Sequence, residues 1–581
     1  MKLNFSVKYC SFILLLLVGC KKVTPGDPVV SLVVPITNQT VILPQTDPGI
    51  AKSAGFFLND WAPKSFVKPT FTDVASITTD ATVTVNVDYS NVITKVPKYL
   101  FGNNSNPYMG QLVTEPVLMN YVKNLSPNII RFPGGNISSV FIWNGLVGQP
   151  PADAPVNIND ATGASTPANY WYGSNTANWT LSVDNYYAAL VQTGSTGIIT
   201  INYSYARYGT GKHPDQSAAH LAADWVRYDK GRTKYWEIGN ESDGPWQAGW
   251  RIDTTKNQDG QPQIITGFLY GKHFKVFADS MRKAALEVGA VIKIGAQLVQ
   301  TDPTNSWNNV DRTWNSGLFS SAGDYPDYYI VHDYYTAQTN VDAATILNTP
   351  VAETKAIMDF MGLTTQQGRV LLKPIALTEW NIFASGSKQM VSNIAGIHAD
   401  MVLGELLKNK FGMASRWDLS NGYGNGDDHG MFSKGDEPDN TTKWSPRPAF
   451  YHMYLFQKYF GDRMVGSTVS GNADILTYAS SFSSGEAGVI VVNKGTTAQV
   501  ISIKITNFAA GNRFYYYTLV GGSDNGDFSR QVFINGAGPA MPSGGPANYL
   551  QIAPFSSTFT GSIKVNAPAR SVIYLIADKS K

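Results

Sequence analysis

The fold of this chain is indicated most clearly by KYWEIGNE, residues 234–241. A short run, apolar except for Glu237, ends at Gly239 and leads into Asn240 and Glu241, which is the pattern of a buried strand that ends in a polar loop. Similar runs recur at KYLFGNN from Lys98, NIIRFPGG from Asn128, GIITINYS from Gly197, IKIGAQ from Ile292, YYIVHDYY from Tyr328, PIALTEW from Pro374 and MASRWDLS from Met413. The sequence therefore predicts eight short buried strands.

Helical patterns lie between these runs. Phe274, Phe277 and Met281 recur at helical spacing, and Gly289 follows them as a plausible C-cap. Buried strands that alternate with helices indicate a parallel α/β architecture, and the number eight favours a closed (β/α)8 barrel over an open sheet. We assign residues 97–461 to this barrel.

The alternation of buried strands with helical patterns ends at residue 461. Runs such as GVIVVNKG (488–495) and ARSVIYLIAD (569–578) are typical of an antiparallel β-sandwich, which we assign to residues 462–581. The run TVTVNVDY (82–89) alternates every second residue, so the segment 81–96 is predicted to contribute a strand to this sandwich. Residues 21–80 are rich in Pro, Thr, Val and Asp, and we interpret them as a tether and an irregular N-terminal segment.

The first twenty residues predict export. A basic start precedes the apolar run Phe12–Val18, which is too short to span a bilayer as a mature helix. The ending Leu17-Val18-Gly19-Cys20 resembles the lipobox of bacterial lipoproteins, in which Cys20 is lipidated and becomes the new N-terminus. The alternative is an ordinary cleaved signal. We expect contact with a membrane, periplasmic or at the cell surface, through this lipid anchor only.

Composition argues against a nucleic-acid partner. The formal net charge is +2 and the charged fraction is 15%, so no strongly basic surface is expected. The aromatic fraction is 12%, with 13 Trp and 30 Tyr, which supplies many flat amphipathic side chains.

Two glutamates follow the predicted strands at positions where barrel enzymes place their chemistry. Glu241 comes at the end of the fourth strand and Glu379 at the end of the seventh, and both strand ends meet at the C-terminal rim of a barrel. Glu237 lies within its strand and is better suited to an internal polar network. Two carboxylates facing each other are what cleavage of a glycosidic bond requires. We therefore expect a polysaccharide or oligosaccharide substrate.

The combination of YWEIGNE, TEWN, VHDYY and IRFPGGN resembles the clan A glycoside hydrolases, and within them most nearly family 51, the α-L-arabinofuranosidases and some endoglucanases. The resemblance implies a retaining double displacement with Glu241 as acid/base and Glu379 as nucleophile, without a cofactor or metal ion. The charge on Glu379 is expected to raise the pKa of Glu241 and keep it protonated.

The resemblance also implies roles for three neighbours. Asn240 matches the residue that binds the 2-hydroxyl of the sugar, and His332 and Tyr334 match a His-x-Tyr motif whose Tyr orients the nucleophile.

Other side chains are candidates by position. Arg131 is placed to pair with a carboxylate near the nucleophile, although support of the barrel floor is an alternative. Asn136 is a candidate to reach the sugar or to cap a loop. Trp417 and Trp380 are expected to offer flat faces to a sugar ring.

One departure from family 51 bears on the substrate. The arabinofuranosidases carry a Glu after the first strand, whereas this chain reads FGNNSNPY from Phe101 to Tyr108, with Asn106 as a candidate replacement. An endo-acting enzyme on a β-linked plant or algal polysaccharide is therefore an alternative to an arabinofuranosidase. The long polar insertions at residues 148–178 and 422–445 agree with an extended cleft.

Two further hypotheses stay open. A surface lipoprotein rich in aromatic residues also fits a non-catalytic glycan-binding protein, although such a protein needs neither glutamate. In the insertion 422–445, Asp427, Asp428 and His429 suggest a calcium site, but their spacing fits no standard loop and a solvated loop is favoured.

Overall fold

The computed structural model describes residues 45–302, 308–523 and 526–580. The predicted signal and Cys20 lie outside the described residues. The strands of this part of the chain are β1 Thr72–Asp73, β2 Val83–Lys95, β3 Gly102–Asn104, β4 Ile129–Phe132, β5 Phe141–Ile142, β6 Asn157–Asn159, β7 Ser165–Pro167, β8 Trp171–Tyr172, β9 Thr196–Ile201, β10 Tyr235–Ile238, β11 Lys293–Gln297, β12 Tyr328–Asp333, β13 Ile375–Trp380, β14 Met413–Arg416, β15 Arg463–Ser470, β16 Ile475–Ser481, β17 Ala487–Asn493, β18 Gln499–Thr506, β19 Ala510–Val520, β20 Phe533–Ile534, β21 Phe555–Thr558, β22 Ile563–Ala567 and β23 Ser571–Lys579.

The predicted (β/α)8 barrel is confirmed. Its strands follow the order β3, β4, β9, β10, β11, β12, β13 and β14, and β14 pairs with β3 to close the ring. Every pairing in the ring is parallel, and each strand comes from one of the eight predicted runs. Most residues of these strands are buried, because side chains fill the barrel and helices cover it.

Nine helices are described: α1 Pro116–Leu125, α2 Val183–Thr193, α3 Tyr205–Tyr208, α4 Pro214–Asp229, α5 Gly267–Glu287, α6 Asn309–Ala322, α7 Ala343–Gln367, α8 Asn393–Lys408 and α9 Pro448–Tyr459. Proline begins α1, α4 and α9, where its missing N–H has no helical partner to lose. The stripe predicted from Phe274, Phe277 and Met281 is the buried face of α5. Among the described residues, no helix combines the length and apolar character that crossing a membrane requires.

The floor of the barrel is closed by the N-terminal segment. A 3-10 helix, Gly55–Leu58, places Phe57 against the rings of Tyr235 and Tyr328 at centroid distances of 5.2 and 5.6 Å. Both tyrosines are the first residues of their strands, so Phe57 seals the end opposite the rim that carries Glu241.

The remaining strands form the second domain. Strands β1, β2 and β15 to β23 make one sheet of eleven strands, which encloses an apolar core that includes Val85, Val491, Ile503, Val565 and Ile573. The sheet is mixed rather than purely antiparallel, because β2 pairs parallel with β18 and β1 pairs parallel with β21. Strand β2 covers most of the segment 81–96, so both ends of the described chain contribute to this domain.

Candidate active site

A fully buried arginine organises the centre of the barrel mouth. Arg131, near the end of β4, donates from Nε to Glu237 Oε2 at 2.6 Å and from Nη2 to Asn240 Oδ1 at 2.7 Å. Its Nη1 donates to Asn104 Oδ1 at 3.0 Å and to Glu379 Oε2 at 3.1 Å. Burial of this cation is balanced by two carboxylates and two amide oxygens, which hold it in one orientation. The predicted pairing of Arg131 with a carboxylate near the nucleophile is present in this geometry.

Glu379 lies at the end of β13 with both carboxylate oxygens engaged. Tyr334 donates its hydroxyl to Oε1, while Arg131 donates to Oε2. Burial raises the pKa of Glu379 above its ordinary value, against the opposing effects of His332, Arg131 and Tyr334. The carboxylate is thus oriented by two donors, as a positioned nucleophile requires.

Glu241 occupies a turn directly after β10. Its φ is +42°, in the left-handed region, and Gly239 two residues earlier has φ +82°. A Cβ at Gly239 would lie 2.6 Å from Ser242 Oγ and 2.9 Å from Tyr203 Cβ, so only glycine fits there. This turn directs Glu241 into the barrel mouth, at a cost in backbone strain that is characteristic of functional positions.

The Glu241 carboxylate is held by donors on both of its oxygens. Trp246 Nε1 donates to Oε2 at 2.7 Å and Gln247 Nε2 to the same oxygen at 3.4 Å, while His332 Nδ1 lies 2.9 Å from Oε1. An oxygen of Glu241 and an oxygen of Glu379 lie within 4.8 Å of each other. This separation suits retaining glycosidases, whose carboxyl groups stand about 5–5.5 Å apart, rather than inverting ones.

His332 lies between the two glutamates. Its Nδ1 is 3.7 Å from Glu379 Oε2, and its Nε2 is 3.2 Å from Thr378 Oγ1. Although burial lowers the pKa of His332, the two carboxylates outweigh burial and raise that pKa above 6.5.

This histidine changes the expected electrostatics. Burial raises the pKa of Glu241, but the hydrogen bond and charge of His332 outweigh burial and hold that pKa below 4.5. The prediction that the pKa of Glu241 is raised is therefore wrong. The directions of these two shifts favour the proton on His332 over Glu241.

A cavity of about 750 Å³ opens onto both glutamates. Trp417 forms part of its wall and lies against the glycines of the RFPGG motif, with Gly134 and Gly135 at φ +65° and +60°. A Cβ at Gly135 would lie 2.4 Å from the Trp417 ring. The two glycines thus make room for the indole, and Trp417 has the location expected of a stacking platform.

A second chamber of about 440 Å³ adjoins this cavity. Glu241, Trp246 and Tyr334 border both spaces. The open space of the mouth therefore continues past Glu241.

The remaining predicted residues separate into two groups. Asn136 borders the cavity and accepts a hydrogen bond from Gln247 at 2.8 Å. Asn240, Trp380 and Asn106 are buried and do not border the cavity, although Asn240 has an Nδ2 without a hydrogen-bond partner among the described residues.

The prediction that Trp380 offers a face to a sugar is wrong, because adjacent strand residues point to opposite sides. Glu379 points into the mouth, so Trp380 points away from it. Asn106 instead donates from Nδ2 to Asp418 Oδ2 at 2.5 Å behind the cavity wall.

Several residues of the site were not predicted. Trp246 and Gln247 follow Glu241 within the stretch GNESDGPWQ, and their proximity in sequence was the available signal. Tyr108 borders the cavity, and Asp418 lies behind it. These contacts join strands that are distant in sequence, so no local pattern indicated them.

The acidic loop 422–445 does not gather its candidate ligands. Asp427 accepts from the backbone N–H of Lys388 at 3.2 Å, Asp428 lies 3.6 Å from Arg447, and His429 Nε2 lies 3.1 Å from the carbonyl of Ile382. Within the part of the chain that the structure describes, the only three potential metal-ligating side chains that converge are Glu241, His332 and Glu379. Nothing in the loop geometry favours calcium.

A larger cavity lies elsewhere in the described part of the chain. It measures about 1150 Å³ and is bordered by the segment 60–70, the ends of α1 and α9, and the second domain. Its two acids are already engaged, since Asp60 binds Lys234 and Asp462 binds Arg463. Size alone does not mark the site, and the smaller cavity holds the paired glutamates.

Comparisons with known proteins agree with this geometry. A family model described as the Alpha-L-arabinofuranosidase 1 domain matches residues 121–347, which include Arg131, Glu241 and His332 and end before Glu379. An intracellular exo-α-(1→5)-L-arabinofuranosidase of Halalkalibacterium halodurans is 24% identical over 275 residues, covering 44% of this chain and 49% of that protein. The chain thus spans about half the length of the curated relatives it matches.

Solved structures extend the likeness to most of the fold. An α-L-arabinofuranosidase from Thermotoga maritima, solved with arabinose, has a TM-score of 0.58 at 18% identity and covers 85% of this chain and 99% of that one. A Paenibacillus polymyxa xyloglucanase of family 44 has a TM-score of 0.54 at 11% identity, with coverage of 86% and 99%. Together with the motifs, these findings make the chain similar to the clan A glycoside hydrolases, near family 51, in sequence over its central part and in fold over most of its length.

Proposed function

We propose that this protein is a retaining glycoside hydrolase of the arabinofuranosidase type, with Glu379 as nucleophile and Glu241 as acid/base. One observation carries the proposal: carboxylates from the ends of β10 and β13 lie within 4.8 Å of each other at the wall of one cavity. The names of the sequence relatives support the reaction class.

The first step forms a covalent intermediate. A carboxylate oxygen of Glu379 attacks the anomeric carbon, the bond to the leaving oxygen breaks, and Glu241 gives that oxygen a proton. Tyr334 and Arg131 hold Glu379 in position for the attack. Asn240, beside Glu241, has an Nδ2 without a hydrogen-bond partner among the described residues, which supports a role in binding a hydroxyl of the sugar.

The proton for this step is stored on His332. The raised pKa of His332 and the lowered pKa of Glu241 favour a charged imidazole beside a carboxylate, with His332 Nδ1 2.9 Å from Glu241 Oε1. Transfer of that proton from Nδ1 to Oε1 produces a neutral acid beside a charged Glu379, which is the form that the reaction requires. The transfer needs no proton from solvent.

The second step releases the sugar. A water molecule gives a proton to ionised Glu241 and attacks the anomeric carbon, and Glu379 departs as a carboxylate. Two inversions restore the original anomeric configuration.

We propose α-L-arabinofuranosyl groups of plant polysaccharides as the first candidate substrate, because the relatives in sequence are arabinofuranosidases. Endo-cleavage of a β-linked backbone is the second candidate. It is favoured by the chamber of about 440 Å³ that continues past Glu241 and gives room to further sugar units. The endo alternative also agrees with the lack of an acid in residues 101–108 after the first strand.

A substrate panel tests these candidates. Release of 4-nitrophenol from 4-nitrophenyl α-L-arabinofuranoside, and of single arabinose units from arabinan without a fall in polymer length, is expected for the first. A rapid fall in polymer length with release of oligosaccharides would identify the second. Binding to the same glycans without any new reducing ends would instead support the non-catalytic glycan-binding alternative.

We also propose that the protein is exported and anchored through a lipid on Cys20. The motif Leu17-Val18-Gly19-Cys20 supports this location, although the sequence relative from Halalkalibacterium halodurans is described as intracellular. Fractionation of the full-length chain is the test.

A further inference from the structure

The wall of the cavity contains a buried carboxylate that the proposed mechanism does not use. Asp418, two residues after the end of β14, is fully buried, and its Oδ1 has no hydrogen-bond partner among the described residues. Its Oδ2 accepts from Asn106 Nδ2 at 2.5 Å and from the Tyr108 hydroxyl at 3.1 Å. Both donors belong to the loop after β3, whose first part, FGNNSNPY up to Tyr108, contains no acid of its own.

The backbone fixes this arrangement. The N–H of Leu419 donates to the carbonyl of Asn104 at 2.9 Å, and the N–H of Met431 donates to the carbonyl of Asp418 at 3.0 Å. These bonds hold the end of the eighth barrel strand beside the loop of the first. A carboxylate is therefore present at the first-strand loop, although it comes from the opposite end of the barrel sequence.

Tyr108 connects this carboxylate to the cavity. It is half-buried and forms part of the cavity wall with Trp417 and Glu379. Its hydroxyl proton is directed to Asp418, and its oxygen accepts from Asn421 Nδ2 at 3.2 Å. A phenolic oxygen both donates and accepts hydrogen bonds, so the Tyr108 oxygen can accept from a ligand hydroxyl beside Asn421 or in its place.

We propose that Tyr108 and Asp418 form a hydroxyl-reading subsite, in which the Tyr108 oxygen accepts a hydrogen bond from one hydroxyl group of the bound sugar. Asp418 is a positioning residue, because it holds the proton of Tyr108 away from the cavity and presents the oxygen as an acceptor. The subsite selects sugars with a free hydroxyl at that position and rejects deoxy or O-methyl analogues. This inference rests on the proposed glycosidase function.

The test compares an aryl glycoside that the wild-type protein cleaves with its monodeoxy and mono-O-methyl analogues. In the wild-type protein, removal or methylation of the hydroxyl at one position of the sugar should lower kcat/KM by about tenfold to a hundredfold. This is the loss expected for one hydrogen bond to a buried acceptor. Tyr108→Phe should lower kcat/KM on the parent by a similar factor and show no further loss for that analogue. Losses at the other positions should be unchanged.

Asp418 is tested by two substitutions. Asp418→Asn keeps an oxygen that accepts from Tyr108 and should keep the discrimination, whereas Asp418→Ala should lose it. Thermal melting identifies variants that fail to fold. If both Asp418 variants fail to fold, Tyr108→Phe alone tests the subsite.

The outcomes separate this inference from the proposed function. Wild-type protein without activity on any glycoside contradicts the proposed function and, with it, the subsite. If the wild-type protein is active and Tyr108→Phe shows the same losses on every analogue, the subsite is overturned and the proposed function is not. Retained discrimination in a folded Asp418→Ala variant overturns the positioning role of Asp418.

Discussion

His332 Nδ1 lies 2.9 Å from Glu241 Oε1 and 3.7 Å from Glu379 Oε2, so one imidazole bridges the two carboxylates of the site. The bridge explains why the pKa of Glu241 is lowered and that of His332 raised in the same cavity. A proton shared between two neighbouring groups belongs to the pair rather than to either residue.

The two glutamates should respond differently to removal. Glu379→Ala abolishes the covalent intermediate, so kcat should fall by at least about 10³-fold on every substrate. Glu241→Ala should retain the first step on a dinitrophenyl glycoside, because that leaving group scarcely needs a proton. Added azide should then restore turnover of Glu241→Ala and yield a product with the original anomeric configuration.

The exposed Glu287→Ala on α5 is the control for these variants and should keep full activity. Near-normal activity of Glu379→Ala, or an inverted azide product from Glu241→Ala, would show that the roles are assigned wrongly.

The pH profile should report the bridge. Because the pKa of His332 is raised above 6.5, the shared proton is lost only at higher pH, and the alkaline limb of kcat/KM should lie above 6.5. A proton shared by His332 and Glu241 is held more tightly than a proton held by Glu241 alone. His332→Asn should therefore move the alkaline limb to lower pH, and it should lower the maximum of kcat/KM about tenfold or more.

His273→Asn is the matched control for this profile. Burial lowers the pKa of His273 to about 4, so this histidine is neutral in the working range and its loss should leave the alkaline limb in place. An unchanged limb in His332→Asn would remove the basis for the stored proton.

The glycine beside Trp417 should be indispensable. Gly135→Ala places a Cβ 2.4 Å from the indole and should displace it, lowering kcat/KM by about tenfold or more through a higher KM. Gly148→Ala is the control, since Gly148 also has a positive φ, +76°, but no atom within 4 Å of the added Cβ. Gly148→Ala should therefore cost about 1 kcal/mol of stability and no activity. Equal kinetics in the two variants would argue against Trp417 as a platform.

Buried Asp418 should lower the stability of the folded protein near neutral pH. Burial, with a contribution from Asp428, raises the pKa of Asp418 from 3.8 to about 7. In the unfolded chain the carboxyl ionises near 3.8, so ionisation favours unfolding increasingly between pH 4 and 7, and the full penalty is present above 7. Over this pH window the free energy of unfolding of Asp418→Asn should rise above that of the wild-type protein, by on the order of a few kcal/mol. Melting temperatures that run parallel from pH 4 to 8 would contradict it.

The predicted lipid anchor can be checked by fractionation. Full-length protein should partition with membranes after processing at Cys20, while Cys20→Ala should stay unprocessed or become soluble. Mass spectrometry of the mature N-terminus measures the modification directly. A processed, unmodified N-terminus at another residue would rule out the anchor.

The sequence by itself determined the barrel and the location of its chemistry. Eight apolar runs with polar ends are a local signal, and residues that follow parallel strands must meet at one rim, so Glu241 and Glu379 could be placed there without coordinates. The alternation of a strand also implies that Trp380 points away from the mouth once Glu379 points into it, so the burial of Trp380 follows from the sequence pattern.

Only the tertiary structure decided which groups share a proton. His332, Glu241 and Glu379 come from three strands, and the order of their pKa values depends on separations of a few ångströms between them. The same holds for Tyr108 and Asp418, which are 310 residues apart and meet because β14 closes the barrel against β3. Electrostatic energies vary steeply with such distances and with burial, and neither quantity can be predicted from the spacing of residues along the chain.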